Sequence, residues 1–361
     1  MVNEHLLTVK EITRETSDAI SVVFDIPDNA KNDFKYFQGQ NITLIKTING
    51  NELRRSYSIC SSVNDSIIKV AIKQLDGGRF STWANSELQT GDTLRALTPA
   101  GHFYTALHPD NKKHYFAIAA GSGITPILSI IKTTLEEEQN STFTLLYGNK
   151  KATSIMFLKE LNTLEEHYSQ RLSIFHILTQ QQQTTRLLNG RIDSDKVTAF
   201  LKTLLPANNI DNAFLCGPFD MVTASRQALI NMGLGAEYIH TELFGVPDNT
   251  ITHQEAVSTD LPINDDNLAQ VEIVCDSRVT HITLPRDGDT ILDAALEFRD
   301  DLPFACKGGV CGTCKAKVVN GEVAMDINYS LSDAEVEQGF ILTCQAHPIS
   351  NSVAISFDED S

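Results

Sequence analysis

The 361-residue sequence has no run of about 18 apolar residues, the length a helix needs to cross a hydrocarbon layer. Its opening residues, Met1-Val2-Asn3-Glu4-His5, lack the basic stretch and apolar core of a secretory signal. The chain is therefore expected to be cytoplasmic, with no membrane partner. Nor is there a surplus of bases: 29 Lys and Arg stand against 46 Asp and Glu, a net charge of −17. Nucleic acid is thereby disfavoured, because binding it requires bases to neutralise phosphates. Seven cysteines are an odd number, and cytosolic thiols are kept reduced, so a disulfide framework is not expected. There is no internal repeat and no low-complexity tract.

What is present is unevenly spread. Residues 1–245 carry 23 bases and 25 acids, 246–267 no base and five acids, and 268–361 six bases and 16 acids. An acidic final third suits steering toward a basic protein surface, although a solvated face that keeps the protein soluble has the same composition. The cysteines are uneven too. Cys60, Cys216 and Cys275 are scattered, whereas Cys306, Cys311, Cys314 and Cys344 fall close together.

The hydrophobic pattern changes along the chain. Segments 21–24, 41–45 and 67–73 alternate or are β-branched, which predicts an antiparallel barrel up to about residue 106. From His114, strand and helix patterns alternate: strands at 115–119, 143–147, 173–177 and 213–216, helices at 126–138, 154–167, 196–205 and 221–232. That order predicts a parallel α/β sheet. Residues 246–267, with Pro247, Asp248, Asn249 and Pro262, have no apolar period and are expected to form a linker. A third domain is expected from about Ala269, with a hairpin (271–274 and 279–284) and a helix at 293–298. The expected domains are thus 1–106, 107–245 and 269–361, joined by a linker over 246–268.

Residues 306–314 followed by Cys344 spell C-x4-C-x2-C with a distant fourth cysteine, the spacing of plant-type [2Fe-2S] ligation. Gly308, Gly309 and Gly312 are expected to let the loop approach closely. A four-thiolate zinc site takes the same donors, though zinc sites usually pair two C-x2-C hooks. A zinc-stabilised binding module is therefore the alternative of a different class. Cys275 is expected to pack rather than ligate.

Arg55-Ser56-Tyr57-Ser58 follows a predicted strand and presents an aromatic for stacking, a hydroxyl and a phosphate-neutralising Arg. Gly77-Gly78-Arg79-Phe80-Ser81 is a Gly-rich turn opening a short helix, where N–H groups suit a pyrophosphate. Gly121-Ser122-Gly123-Ile124-Thr125-Pro126 lies between strand and helix, with Thr125 as expected cap and Pro126 as first helical residue. Cys216-Gly217-Pro218 again ends a strand, at the sheet edge where open α/β folds bind ligands. The G-x-G turn is not a G-x-S-x-G elbow, which speaks against a serine hydrolase.

Through these motifs the first 245 residues resemble the ferredoxin-NADP reductase family, and the last third resembles plant-type ferredoxin. The order flavin, nicotinamide, ferredoxin is similar to reductase components of bacterial multicomponent oxygenases. Residues 54–61, 146–150 and 306–314 are most similar to reductase subunits of phenylacetyl-CoA epoxidases, with ketosteroid hydroxylase reductases next. The resemblance implies an antiparallel β-barrel FAD domain, an α/β parallel-sheet nucleotide domain and an α+β (β-grasp) ferredoxin domain. It implies electron transfer from NAD(P)H through FAD and a [2Fe-2S] cluster to an oxygenase component or other electron-acceptor protein docking near the ferredoxin domain.

By the same resemblance, Tyr57 stacks on the flavin, Ser58 bonds near its reactive nitrogen, and Arg55, Gly78 and Ser81 hold phosphates. Ile72 and Lys73 line the flavin, and Phe244 shields it. Gly121, Gly123, Thr125, Pro126, Asn149, Lys150, Cys216, Gly217 and Pro218 are expected to bind the nucleotide, with Tyr57, Ser58, Cys216, Glu242 and Phe244 at the reacting rings. Cys306, Cys311, Cys314 and Cys344 are the expected metal ligands. After Tyr147 the run 148–154 contains two lysines and no acid. A free ribose diol is usually held by a carboxylate, so NADPH is the expected nucleotide.

Overall fold

The computed structural model describes residues 4–205, 209–244, 267–275, 278–299 and 302–359. The first strands are β1 (Glu4–Thr16), β2 (Ala19–Asp25), β3 (Asn41–Ile48), β4 (Asn51–Ser58) and β5 (Ile68–Lys73). Helix α1 (Arg79–Ser86) and β6 (Thr93–Leu97) follow. They form one sheet in the order β4-β3-β6-β1-β2-β5. Ile59, just beyond β4, bridges antiparallel to Val70 on β5, which brings the two edges together as a barrel. Alternation along the strands decides which side chains enter it. Ile20, Val22, Phe24, Ile68, Val70 and Ile72 fill the barrel core, while Ala19 and Ala71, one residue out of phase, join the neighbouring core.

That neighbour is the parallel sheet, built from β7 (His114–Ala120), α2 (Ile124–Glu137), β8 (Thr142–Asn149), α3 (Leu158–His167) and β9 (Leu172–Leu178). It continues with α4 (Ser194–Thr203), β10 (Asn212–Gly217), α5 (Phe219–Asn231) and β11 (Ile239–Leu243). The order is β11-β10-β7-β8-β9, all parallel. Because β7 lies inside the sheet and is covered on both faces, its sequence is apolar throughout rather than alternating. The chain winds outward from β7 first through β8 and then back through β10, which makes the β7/β10 junction the switch point where ligands of such sheets bind. Barrel and sheet, apart from Arg54–Ser56 of β4, form one compact unit. Lys132 on α2 pairs with Asp65 at 2.8 Å and with Glu160 on α3 at 3.2 Å, and Lys69 on β5 reaches Glu160 at 3.1 Å.

The C-terminal described residues form a second unit. It comprises β12 (Leu268–Cys275), β13 (Arg278–Pro285), α6 (Ile291–Leu296), β14 (Lys315–Asn320), β15 (Val323–Met325) and α7 (Asp333–Glu337). The last elements are β16 (Phe340–Leu342), β17 (Ala346–Pro348) and β18 (Ser352–Ser356). The five-stranded sheet runs β13-β12-β18-β14-β16, with β12 and β18 parallel and the other registered pairs antiparallel. Helix α6 buries Ile291, Leu292 and Ala295 in this unit's core, giving the α+β arrangement expected. Among the described residues no helix is long and apolar enough to cross a membrane.

Several boundaries moved. The predicted helix 154–167 begins only at Leu158, because Phe157 adopts a left-handed conformation (φ 58°) and Ala152–Ser154 form a 3-10 turn. Thr125 is not the cap of α2, nor Pro126 its first residue. A 3-10 turn at Gly121–Gly123 runs straight into a helix starting at Ile124, and the Thr125 hydroxyl bonds back to Ser122 O at 3.0 Å. The R-x-Y-S motif lies within β4 rather than after a strand. The expected linker falls almost wholly outside the described residues.

One buried carboxylate ties the sheet to its surroundings. Glu138 is fully buried at the end of α2 and accepts hydrogen bonds from Tyr115 Oη (3.0 Å), Ser141 Oγ (2.7 Å), Asn111 Nδ2 (2.6 Å) and His108 N (3.1 Å). Glu138→Ala would strand all four donors. It is expected to lower the unfolding free energy by about 3 kcal/mol with an unchanged denaturant slope, as read from urea titration.

Candidate functional site

Two neighbouring turns form the centre of the first unit. The turn after β7 and the turn after β10 meet backbone to backbone: a Cβ on Gly123 would lie 2.2 Å from Cys216 O. Gly217 is constrained by its backbone, with φ at 152°, while the Met221 Cε that a Cβ would meet at 2.8 Å is a flexible side-chain end. Tyr147 on β8 supports the first turn by donating to Gly121 O at 2.9 Å, a contact no local sequence signal announced. At Gly123 a side chain is excluded because the backbone of the neighbouring turn occupies the space.

On this junction sits a polar group drawn from three elements. Cys216 and Glu242 are register partners on β10 and β11. Cys216 Sγ lies 3.9 Å from Glu242 Oε2, and Ser58 Oγ, at the end of β4, lies 3.5 Å from the same oxygen. Burial, and then the adjacent carboxylate, push the Cys216 thiol well above its ordinary range, so it stays a neutral donor. Ser58 is buried, and Tyr57 is half-buried with its ring 5.7 Å from Phe80. Barrel and parallel sheet thus bring together three expected residues separated by up to 184 positions.

The other expected residues are spread over several elements. Arg55 is exposed on β4, its Nη1 bonded to Arg54 O at 2.6 Å. Ile72 is fully buried in the barrel, and Lys73 beside it pairs with Asp18 at 3.6 Å. Gly78 is the N-cap of α1, a helix with no side-chain cap, and a Cβ there would meet Ser81 Oγ at 2.5 Å. The Ser81 hydroxyl is engaged within the turn, accepting from Leu75 N (3.1 Å) and donating to Gly78 O (3.2 Å). What this turn offers an anion is therefore the first N–H groups of α1. Pro218 is the N-cap of α5. Phe244 packs partly buried on the core of the parallel sheet, its N–H bonded to Gly217 O at 3.0 Å. Asn149, at the carboxyl end of β8, is buried beside Tyr147, whereas Lys150 is exposed. Beyond β9, a cavity of about 540 Å³ is lined by residues that include Thr179, Gln183, Arg186 and Asn189. No sequence motif marks it; the run of four glutamines at 180–183 is the one local oddity.

The second unit assembles the cysteines. Cys314 and Cys344 are buried, Cys311 is half-buried and Cys306 exposed. The thiols stand in two pairs, Cys306 with Cys311 and Cys314 with Cys344. The hydrogen bond from Cys311, joined by backbone N–H groups of Gly308, Val310 and Cys311, holds Cys306 down to about 6 against the effect of burial. A hydrogen bond from Cys314 likewise holds Cys344 below its usual range against burial. Among the described residues no three Cys, His, Asp or Glu side chains converge as one metal ion requires. Two pairs of thiols suit a centre with two irons. Gly309 (φ 72°) and Gly312 (φ 67°) shape the loop, and a Cβ on Gly309 would meet Ile327 O at 3.0 Å. Gly308 has no positive φ, and its N–H donates to Cys306 Sγ at 3.3 Å. Cys275 packs in the core on β12, as expected.

The barrel, the parallel sheet and the thiol loop together define a flavin- and iron–sulfur-dependent oxidoreductase of the ferredoxin-reductase type. Comparison with known proteins agrees. Models of the oxidoreductase FAD-binding domain, the oxidoreductase NAD-binding domain and the 2Fe-2S iron-sulfur cluster binding domain match residues 6–104, 117–227 and 274–348. The chain is 41% identical over 358 residues to a component of 1,2-phenylacetyl-CoA epoxidase from Escherichia coli K12, covering 99% of each. It is 33% identical to the ferredoxin reductase component of 3-ketosteroid-9-alpha-monooxygenase from Rhodococcus rhodochrous, covering 98% of this chain and 96% of that one. Phthalate dioxygenase reductase shares the fold, with a TM-score of 0.59 at 22% identity and 98% of both chains covered. The chain belongs to this family of ferredoxin-type reductases, which transfer electrons from NAD(P)H through FAD and a [2Fe-2S] cluster.

Two outcomes follow from this geometry. Gly123→Ala is expected to keep flavin but slow its anaerobic reduction by NAD(P)H about a hundredfold in stopped-flow traces, because the turn must move off Cys216. The purified chain is expected to hold about two iron and two sulfide per molecule and no stoichiometric zinc, and Cys344→Ser to lose the iron while retaining flavin.

Proposed function

We propose that this chain is the reductase component of a multicomponent oxygenase of the phenylacetyl-CoA epoxidase type, working in the cytoplasm with NADPH as its electron source. The observation that carries the proposal is the coexistence in one chain of the Ser58–Glu242–Cys216 group and two thiol pairs. A nicotinamide delivers two electrons at once and an oxygenase draws them singly, and a bound flavin supplies the conversion. The full-length likeness to the Escherichia coli epoxidase component supports the choice of partner.

In this proposal the functional divisions are 1–106, 107–245 and 269–361, with 246–268 as the connection. Tyr57 offers its half-buried ring for stacking, and the Ser58 hydroxyl offers a hydrogen bond at the ring edge. Arg55 neutralises phosphate, Ile72 and Lys73 line the flavin, and the uncapped start of α1 at Gly78, braced by Ser81, receives the pyrophosphate. Gly121, Gly123, Thr125, Pro126, Gly217 and Pro218 shape the nucleotide cleft. Cys216, a neutral thiol, and Glu242, at a distance that only a hydrogen bond spans, orient the nicotinamide while Phe244 guards the flavin face. Asn149 and Lys150 flank the adenosine end. A preference for NADPH is supported by Arg186 in the cavity beyond β9, which among the described residues no Asp or Glu lines. Cys306, Cys311, Cys314 and Cys344 hold the iron centre, whose electron leaves to the oxygenase.

The test is an anaerobic visible spectrum of the full chain, recorded before and after NADPH and then NADH, followed by assay with purified oxygenase components. Bleaching of flavin and iron–sulfur bands, faster with NADPH, is expected, with product formed by the epoxidase and not by a ketosteroid oxygenase. Faster bleaching by NADH would overturn the nucleotide preference. Turnover only with the ketosteroid oxygenase would overturn the partner. Arg186→Glu is expected to raise KM for NADPH about tenfold or more while leaving kcat and the NADH reaction nearly unchanged.

A further inference from the structure

Beside the thiol loop lies a hydroxyl with nothing to bond. Ser330 Oγ is buried and has no hydrogen-bond partner among the described residues. Its place is over Gly312, one residue after Cys311 and two before Cys314: a Cβ on Gly312 would lie 3.6 Å from Ser330 Oγ and 3.9 Å from Ser330 Cβ. The segment carrying it is pinned on both sides. Tyr329 N donates to Gly309 O at 3.0 Å, and Asp326 N to Gln345 O at 2.9 Å, tying it to the loop and to the neighbour of Cys344. Asn328 fixes the turn around Ser330 through two bonds with the Leu331 backbone, at 2.8 and 3.0 Å.

The other polar side chains at the loop are already engaged. Thr313 bonds the Cys311 thiol. Thr343 Oγ1 donates to Cys314 O at 3.0 Å. Gln345 Nε2 donates to Lys307 O at 3.0 Å and Cys344 O at 2.7 Å. A buried hydroxyl left without a partner costs about 1–3 kcal/mol, and here the fold holds one in place against the thiol loop.

We infer that the Ser330 hydroxyl donates a hydrogen bond to a sulfur of the iron–sulfur centre held by Cys306, Cys311, Cys314 and Cys344, and thereby raises the potential at which that centre accepts its electron. The inference rests on the [2Fe-2S] assignment. Reduction adds one electron and breaks no bond. Ser330 keeps its proton, and its hydrogen bond strengthens because the acceptor sulfur becomes more negative. Ser330 is thus a tuning residue and not a ligand.

The experiment uses the full-length holoprotein. Iron and labile sulfide are first measured in the native chain; their absence would defeat the [2Fe-2S] assignment itself, independently of Ser330. Potentiometric titration followed by electron paramagnetic resonance then compares native protein with Ser330→Ala and Ser330→Thr. Loss of the hydroxyl is expected to lower the equilibrium constant for one-electron reduction about tenfold, equivalent to about 59 mV in the negative direction, while Ser330→Thr stays near the native value. An iron-replete Ser330→Ala protein with an unchanged potential would overturn the inference and assign the hydroxyl to a water. Should Ser330→Ala fail to retain iron, Ser330→Thr and Ser330→Val, alike in shape and differing in the hydroxyl, are compared by the same titration, and equal potentials would overturn it.

Discussion

The reductase unit depends on a place where no side chain fits. Gly123 and Cys216 come so close that a single methyl would strike the carbonyl, and that contact joins the two turns at the switch point of the parallel sheet. Everything reactive nearby is referred to it. Cys216 leads into the second turn, Glu242 is its register partner, and Phe244 hangs from Gly217 by a backbone hydrogen bond. Close packing makes the arrangement stiff, since a turn that cannot admit a Cβ also cannot drift without losing contacts on both sides.

Polarity in this unit is economical. The barrel and the sheet are held by apolar burial, with Ala19 and Ala71 turned toward the sheet and their neighbours turned into the barrel. Charges appear where they can be paired: Lys132 between Asp65 and Glu160, and Glu138 among four donors. Against this background, a buried Cys216 thiol held high beside Glu242 marks the cleft as a place built for something other than stability.

The iron–sulfur unit solves a different problem. Four thiolates repel one another and cannot gather without help, and the loop supplies it by pairing the cysteines so that one member of each pair donates to the other. Backbone N–H groups add further donors, and left-handed residues at Lys307, Gly309 and Gly312 turn them inward on the sulfurs. Ser330 extends the same logic from a segment 16 residues beyond Cys314 in the sequence.

Local chemistry was legible in the sequence. The C-x4-C-x2-C spacing, the R-x-Y-S motif, the alternating strands of the barrel and the strand–helix repeat of the sheet each express short-range geometry, which neighbouring residues specify among themselves. Helix starts were misplaced where tertiary contacts overrode propensity, as at Phe157, whose left-handed backbone follows its burial against Lys69 and Glu15. The Ser81 hydroxyl bonds within the turn that opens α1, a local arrangement only the fold displays. Gly308, expected to let the loop approach the sulfurs, donates its N–H to Cys306 Sγ at 3.3 Å. The linear order of residues was enough to specify the three modules, their succession, their cofactor classes and the clustering of four cysteines. It took the folded chain to bring Ser58 to Glu242 and Gly123 to Cys216, to set the thiols in two pairs and to lay Ser330 over them. Those contacts span long stretches of chain, and no local pattern encodes a distance that folding alone brings down to a few ångströms.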